Sequence, residues 1–334
     1  MKPCRSIEMP DAETQRKLIE ILRILSESTG EMGARKIAEE MNRRGYNLGE
    51  RAVRYHLRML DENGFTRKHG YLGRVLTSQG EDELKLALVS DRIGFVSTRI
   101  KEIELMTTYD PATDTGDVAV NICYIPKDRF EEAENAMKQV VASGYAISPK
   151  VKIVDEGEEV LENDVPEGQV AFASVCSITL DGVLLKHGIP VNLKYGGILR
   201  FQDGKVRRFT DVIDYSGTSI NPMSVFTSRR MTGVIRLLGT GTGDVLANMR
   251  EVPVAAAKKA GQLIDQMRAA GFTGVLSGCE IVRPLYGLPV EPGRCGIVEY
   301  SGINPFAAFG ELGINTRILP LAAVINIREL KKIE

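Results

Sequence analysis

Apolar residues in the first sixty positions recur at helical spacing. In TQRKLIEILRILSES, Leu18, Ile21, Leu22 and Leu25 fall at i, i+3, i+4 and i+7, one face of an amphipathic helix. GARKIAEEMNRRG repeats the pattern with Ile37, Ala38 and Met41 inward and Gly45 as its stop. LGERAVRYHLRMLDENG places Val53, Leu57 and Leu60 on a core side and leaves Arg51, Arg54, Tyr55 and Arg58 on other faces, ending at Gly64. FTRKHGYLGRVLTSQG then has β-prone residues on either side of a glycine-containing turn, Gly70 to Gly73, and predicts a two-stranded hairpin. From Glu81 to about Ser97 the Leu-rich EDELKLALVSDRIGFVS predicts a connecting helix.

Three helices and a hairpin of these lengths resemble a winged helix-turn-helix, residues 12–80, in which the third helix enters the major groove of DNA and the wing touches backbone or minor groove. Charge supports the comparison. The chain of 334 residues carries a net charge of −1, yet residues 15 to 75 hold thirteen Lys and Arg against eight Asp and Glu, so the first segment is basic and the remainder acidic. Arg51, Arg54 and Arg58 form one cationic stripe, with Tyr55 beside it, and Lys68, His69 and Arg74 add charge to the wing. These seven residues are the candidate DNA contacts. The competing reading is a solvated helix face on a protein-docking module.

Beyond the connecting helix the chain repeats itself. TGDVAVNICYIPKDRFEEAENAMKQVVASGY, 115 to 145, aligns without gaps to 242 to 272 at an offset of 127, matching Asn121 to Asn248, Pro126 to Pro253 and Gly144 to Gly271 among others. The shared pattern is a turn, a short strand, Pro near a helix start and an amphipathic helix closed by Gly. Further on, SVC at 174–176 aligns with SGC at 277–279, GIPVNLKYGGIL at 188–199 with GLPVEPGRCGIV at 287–298, and DYSGTSINPMSVF at 214–226 with EYSGINPFAAF at 299–309. The offset shrinks to 99 and then 85, which places insertions in the first copy, notably 148–169. The expectation is an α/β (α+β) chain: a winged helix, a connecting helix at 81–97, and a duplicated α/β effector and dimerisation domain at 98–334. Its repeats span about 98–226 and 229–310 and are related by a pseudo-twofold axis.

The repeated corners carry the chemistry. Asn221-Pro222 and Asn304-Pro305 read as helix starts, Asn as cap and Pro in the first turn, preceded by Ser216-Gly217 and Ser301-Gly302. Free amides at two such termini would suit a small dicarboxylate; the plainer alternative is a pair of structural corners. Charge partners for such a ligand would come from Arg200, Arg229, Arg230, Arg283, Arg294 and His187, and Cys176 and Cys279 recur in matched Ser-x-Cys positions. The five cysteines contain no Cys-x-x-Cys and only three histidines accompany them, so no metal site and no cofactor is expected. LLGTGTGDV at 237–245 lacks the Gly-Lys-Ser/Thr of a phosphate-binding loop, and no residue set reads as catalytic. The chain shows neither an apolar run of membrane-spanning length nor a secretory signal, so a cytoplasmic location with no membrane partner is expected.

Taken with the winged helix, the segments SVCSITLDGVLLKHGIPVNLKYGGILRF, DYSGTSINP and SGCEIVRPLYGLPVEPGRCGIVEYSGINPFAAF resemble the archaeal nitrogen-regulation repressor family, NrpR, over essentially the whole chain. That resemblance implies a homodimeric repressor of nitrogen-assimilation genes that binds palindromic double-stranded operators. It also implies 2-oxoglutarate as the inducer that releases DNA. Because this chain has one effector-type domain, it acts either alone or with a second effector-domain subunit. Two other classes stay open: a redox- or metal-responsive regulator using Cys176, Cys279 and Cys295, and an α/β enzyme fused to a winged helix.

Overall fold

A computed structural model of the chain describes residues 12–28, 30–84, 95–160, 163–281 and 284–333. Two units separate between Ile93 and Gly94. The first contains helices α1 (Ala12–Glu27), α2 (Ala34–Arg43) and α3 (Glu50–Glu62), followed by strands β1 (Thr66–His69) and β2 (Gly73–Leu76). The strands pair antiparallel from Thr66 opposite Leu76 to His69 opposite Gly73. Every residue assigned to the core by helical spacing is buried, from Leu18 to Leu60. The face of α1 is wider than the pattern shows, because Ile19 and Ile24 are buried as well. Gly73 has φ +136, and a Cβ there would lie 2.3 Å from the Met32 backbone, which pairs with Arg74 as a third bridge to the hairpin. Only glycine permits that approach. Residues 78–84 are helical; residues 85–94 of the expected connecting helix lie outside the described residues.

The second unit begins with α4 (Phe95–Met106), which extends well past the expected end at Ser97. A first run follows: β3 (Asp117–Pro126), α5 (Phe130–Ala142), β4 (Lys150–Val154), a small hairpin of β5 (Glu159–Val160) and β6 (Asn163–Asp164), then β7 (Gln169–Val175), α6 (Ile178–Lys186) and β8 (Asn192–Gln202). After β9 (Lys205–Asp214), α7 (Pro222–Ser228) and α8 (Val234–Thr240), a second run repeats the plan. It comprises β10 (Gly243–Pro253), α9 (Ala257–Ala269), β11 (Val275–Glu280), β12 (Arg294–Tyr300), α10 (Asn304–Glu311) and β13 (Arg317–Asn326), with β14 (Lys331–Lys332) at the end. Each run is β-α-β-β-α-β, the split βαβ plan.

The strand order shows how the runs are joined. One sheet reads β13-β3-β7-β4-β14 and the other β11-β12-β10-β8-β9, antiparallel throughout. The last strand of each run thus leaves its own sheet and pairs with the first strand of the other: β8 with β10, and β13 with β3. Registers match as well. Val120 faces Val175 in the first run, and Ala247 faces Tyr300 in the second, so equivalent residues sit 127 and 125 apart.

That near-constant offset corrects the second half of the sequence alignment. β7 corresponds to β12, not to the SGC strand, and residues 148–169 are no insertion, because the connection from β11 to β12 has a similar length. The Gly-x-Pro-Val and Tyr-Ser-Gly likenesses fall at non-equivalent places: 188–191 precedes the sixth element of its run, 287–290 the fourth. Such short strings recur because strand entry and helix entry impose the same turn chemistry wherever they occur.

The exchange produces one continuous core. Phe172 on β7 packs edge-on against Phe309 on α10 at 5.4 Å between ring centroids, and Tyr145 meets both Phe201 and Tyr300. Each buried aromatic contributes about 1.5–3 kcal/mol of apolar transfer, so separating the runs would expose much of the stabilising surface.

Candidate functional site

In the first unit, α3 turns Val53, His56, Leu57 and Leu60 inward and leaves Arg51, Arg54, Tyr55 and Arg58 exposed. Arg54 Nη2 lies 2.6 Å from Glu50 Oε1 and Arg58 Nε 2.9 Å from Glu62 Oε1, both exposed pairs within the helix. Such pairs are weakly held and can be exchanged for phosphate or base contacts. Arg51 has no ion-pair partner among the described residues. On the wing Arg67, Lys68 and His69 are exposed, with His69 Nδ1 2.7 Å from Glu31 Oε1, and Tyr71 and Leu72 stand free at the turn.

Arg74 behaves differently. Its guanidinium turns back to Asp61 on α3, with Nε donating to Oδ2 at 2.8 Å, and Thr66 Oγ1 donates to the same carboxylate at 2.6 Å. Side-chain exposure of 18% confirms the inward position, and we remove Arg74 from the candidate contacts. The tie is structural: it fixes the wing against the helix that carries the arginines.

In the second unit the two runs meet at a small cavity of about 20 Å³ with mixed apolar and polar walls, lined among others by Ile100, Asn121, Cys176, Ser177, Tyr215, Asn221, Asn248, Ser301 and Leu321. Asn121 and Asn248 hold the equivalent position on β3 and β10, opposite Ser174 and Glu299. Tyr215 Oη donates to Asn248 Oδ1 at 3.0 Å, and Asn248 Nδ2 donates to Ser177 Oγ at 3.1 Å. Across the junction, Ser174 Oγ donates to the Gly302 carbonyl at 2.8 Å. A Cβ on Gly302 would stand 2.1 Å from the Val175 carbonyl oxygen, so this crossing of backbones requires glycine. α4 contributes Ile100 to the cavity wall and Ser97, whose hydroxyl donates to the Tyr215 carbonyl at 3.0 Å.

Next to the cavity lies a cluster of buried charges. Arg250 on β10 is fully buried between Asp181 on α6, 2.9 Å from its Nε, and Glu299 on β12, which contacts its Nη1. Arg250 Nη1 also reaches the Ser177 carbonyl at 3.4 Å. Two carboxylates against one guanidinium leave an excess negative charge in a dry site. Burial therefore outweighs the attraction of Arg250 and lifts both carboxyls, Asp181 to about 8 and Glu299 to about 7. Glu104 on α4 is also buried and raised by burial, with Lys101 Nζ at 2.8 Å as its partner. A single proton held between Asp181 and Glu299 would make the cluster neutral.

The expected effector residues scatter when placed in this geometry. Cys176, Asn221 and Ser301 line the cavity. Asn221 caps α7, accepting from Met223 N at 2.9 Å, as its motif indicates. Ser216 and Gly217 are exposed and do not line it. Asn304 is no open cap: its Oδ1 accepts from Leu246 N at 2.8 Å and its Nδ2 donates to Leu246 O at 3.0 Å. Thr179 makes the same pair of contacts with Ala119 in the first run, so Asn304 corresponds to Thr179 and not to Asn221. The picture of two facing Asn-Pro termini is thereby overturned. Cys176 and Cys279 are likewise not a matched pair, since Cys176 directly follows β7 and Cys279 lies on β11.

Burial raises the thiols, Cys176 to about 11 and Cys279 to about 12, away from reactive thiolates. Among the described residues no group of three or more His, Cys, Asp or Glu is placed to hold a metal ion, and no helix is long and apolar enough to cross a membrane. Of the suggested charge partners, Arg200 is tied to Asp244 at 2.8 Å, and Arg283 lies outside the described residues. Spacing arguments passed over Asn121, Asn248, Asp181, Arg250 and Glu299. A signal was available: Asn and Arg interrupt otherwise apolar strand sequences in VAVNICYI and VLANMREV.

Comparison with known proteins adds independent findings. Residues 93–332 match the family described as NrpR regulatory domains NRD1 and 2, and residues 19–84 match the Ribonuclease R winged-helix domain. The global nitrogen regulator NrpRI of Methanosarcina mazei is 47% identical over 97% of this chain and 100% of its own length. The global nitrogen regulator NrpR of Methanocaldococcus jannaschii is 35% identical over 97% of this chain, which spans 56% of that protein. A crystal structure of a nitrogen repressor-like protein from Methanococcus jannaschii superposes with a TM-score of 0.61 at 30% identity, covering 72% of this chain and 98% of the other.

Proposed function

Since the chain belongs to the NrpR family of nitrogen regulators, we propose that it is a DNA-binding repressor of nitrogen-assimilation genes, released from its operator by 2-oxoglutarate. The observation that carries the reading is the joining, in one chain, of a winged-helix unit with an exposed arginine face and a regulatory unit matching that family. Arg51, Arg54, Tyr55 and Arg58 face the major groove, and Lys68 and His69, with Arg67, approach the backbone. The protein acts as a homodimer on palindromic DNA.

The two runs of the second unit relate by a pseudo-twofold axis through the junction. Asn121 beside Gly302 and Asn248 beside Ser177 support it, because these pairs occupy equivalent registers on opposite sides. The effector enters this junction. At about 20 Å³ the cavity holds one water-sized group, so a dicarboxylate is admitted only when its walls move. Ile100 belongs to those walls and to α4, the first described helix of the second unit, on which Ser97 also donates to the Tyr215 carbonyl. Ligand binding thereby favours a second arrangement of α4, and DNA affinity falls by the difference in ligand affinity between the two arrangements.

Electrophoretic mobility shift with DNA from upstream of nitrogen-assimilation genes tests the DNA half. Replacing both Arg51 and Arg54 with Ala weakens operator binding by roughly ten-fold or more and flattens its salt dependence. Unchanged affinity and salt slope would remove α3 as the reading element.

A further inference from the structure

Asn121 and Asn248 are equivalent in register but not in satisfaction. Asn248 uses both ends of its amide, with Tyr215 and Ser177. Asn121 accepts from Leu321 N through Oδ1 at 3.2 Å, which fixes which end of its amide is the nitrogen. Its Nδ2 has no hydrogen-bond partner among the described residues, although the side chain is only 1% exposed and lines the junction cavity. A buried donor left unmade costs about 1–3 kcal/mol, so its retention calls for a reason.

The cavity contains donors and neutral acceptors but no Lys or Arg in its lining. An anionic oxygen would be poorly compensated there, whereas a neutral carbonyl oxygen meets a lone N–H donor without further demand. We propose that Asn121 is the specificity-determining residue of the junction and donates its Nδ2 hydrogen to the carbonyl oxygen of a 2-oxo acid. A 2-amino acid places an ammonium at the same carbon. That group has donors only, so it faces Asn121 donor to donor. A cavity of about 20 Å³ matches one oxygen; the rest of the ligand, including the carboxylate bonded to the oxo carbon, enters only as Leu321 and Ile100 give way. The inference rests on the junction being the effector site, and it adds which group of the effector is read.

Calorimetric titration of the full chain tests it with three probes: 2-oxoglutarate, glutarate, which lacks the oxo group, and L-glutamate. The wild type binds 2-oxoglutarate roughly ten-fold more tightly than glutarate, and more tightly still than L-glutamate. Asn121→Leu and Asn121→Ser both lose the preference for 2-oxoglutarate over glutarate, while the affinity for glutarate itself stays within about three-fold. Thermal unfolding of each variant establishes that it is folded, and the two substitutions differ in size and polarity, so failure of one leaves the other decisive. If either folded variant keeps the wild-type ratio, Asn121 does not read the oxo group, although the effector reading stands. If the wild type binds none of the three, the effector reading falls and takes this inference with it.

Discussion

Arg250, held between Asp181 and Glu299, sets the electrostatics at the junction of the two runs. The Glu299 carboxyl is raised by burial from 4.5 to about 7, so the folded protein keeps a proton that the unfolded chain releases. The stability this confers is complete below about pH 4.5 and is lost as pH rises through about 7. Glu299→Gln stays neutral throughout. Its melting temperature relative to wild type should therefore climb by about 5–10 °C between about pH 5 and 8, measured by scanning calorimetry. A flat difference would mean that Glu299 is ionised across the range. Of this cluster only Arg250 stood out in the sequence, as a charge in an apolar strand; Glu299 comes from the strand paired with it and Asp181 from the other run, and local pattern encodes neither contact. Asn304 shows the complementary limit. Asn-Pro before an apolar run is a genuine helix-start signal, yet at 304 the side chain bonds a neighbouring strand instead of waiting for a ligand.

At the scale of elements, the period of 3.6 made α1, α2 and α3 legible, with their inward residues and the exposed arginine face. The hairpin was equally clear, since its turn is bracketed by Gly70 and Gly73. What periodicity could not give was the direction of Arg74, whose partner Asp61 sits on a different element. The two roles separate experimentally. Arg74→Ala should lower the stability of the winged-helix unit by on the order of 1 kcal/mol in urea melts, because a partly exposed, hydrogen-bonded ion pair is lost. At temperatures where it stays folded, its affinity for operator should fall less than that of the Arg51/Arg54 double variant. A loss equal to that of the double variant would return Arg74 to the DNA face. α4 was placed only in part, since its apolar face packs on residues from both runs, among them Ala119, Cys176, Leu193 and Leu321, and no local pattern encodes that.

Over the whole molecule, the duplication was legible where the runs align without gaps, through β3 and α5 against β10 and α9. It was misread beyond them because each final strand crosses to the other sheet and resembles, in its turn residues, a segment with a different place in the plan. The exchange bears on the proposed effector response: it leaves neither run with a complete sheet of its own, so a ligand that loosened the junction would act on both at once, and α4 supplies Ile100 to one wall of that junction.

The most direct test is fluorescence anisotropy of labelled operator DNA titrated with the full chain, with and without millimolar 2-oxoglutarate. The account predicts operator affinity at least about five-fold weaker with the ligand, the low end of ordinary coupling between two sites. Operator affinity unchanged by millimolar 2-oxoglutarate, in a chain that binds that DNA specifically, would contradict it.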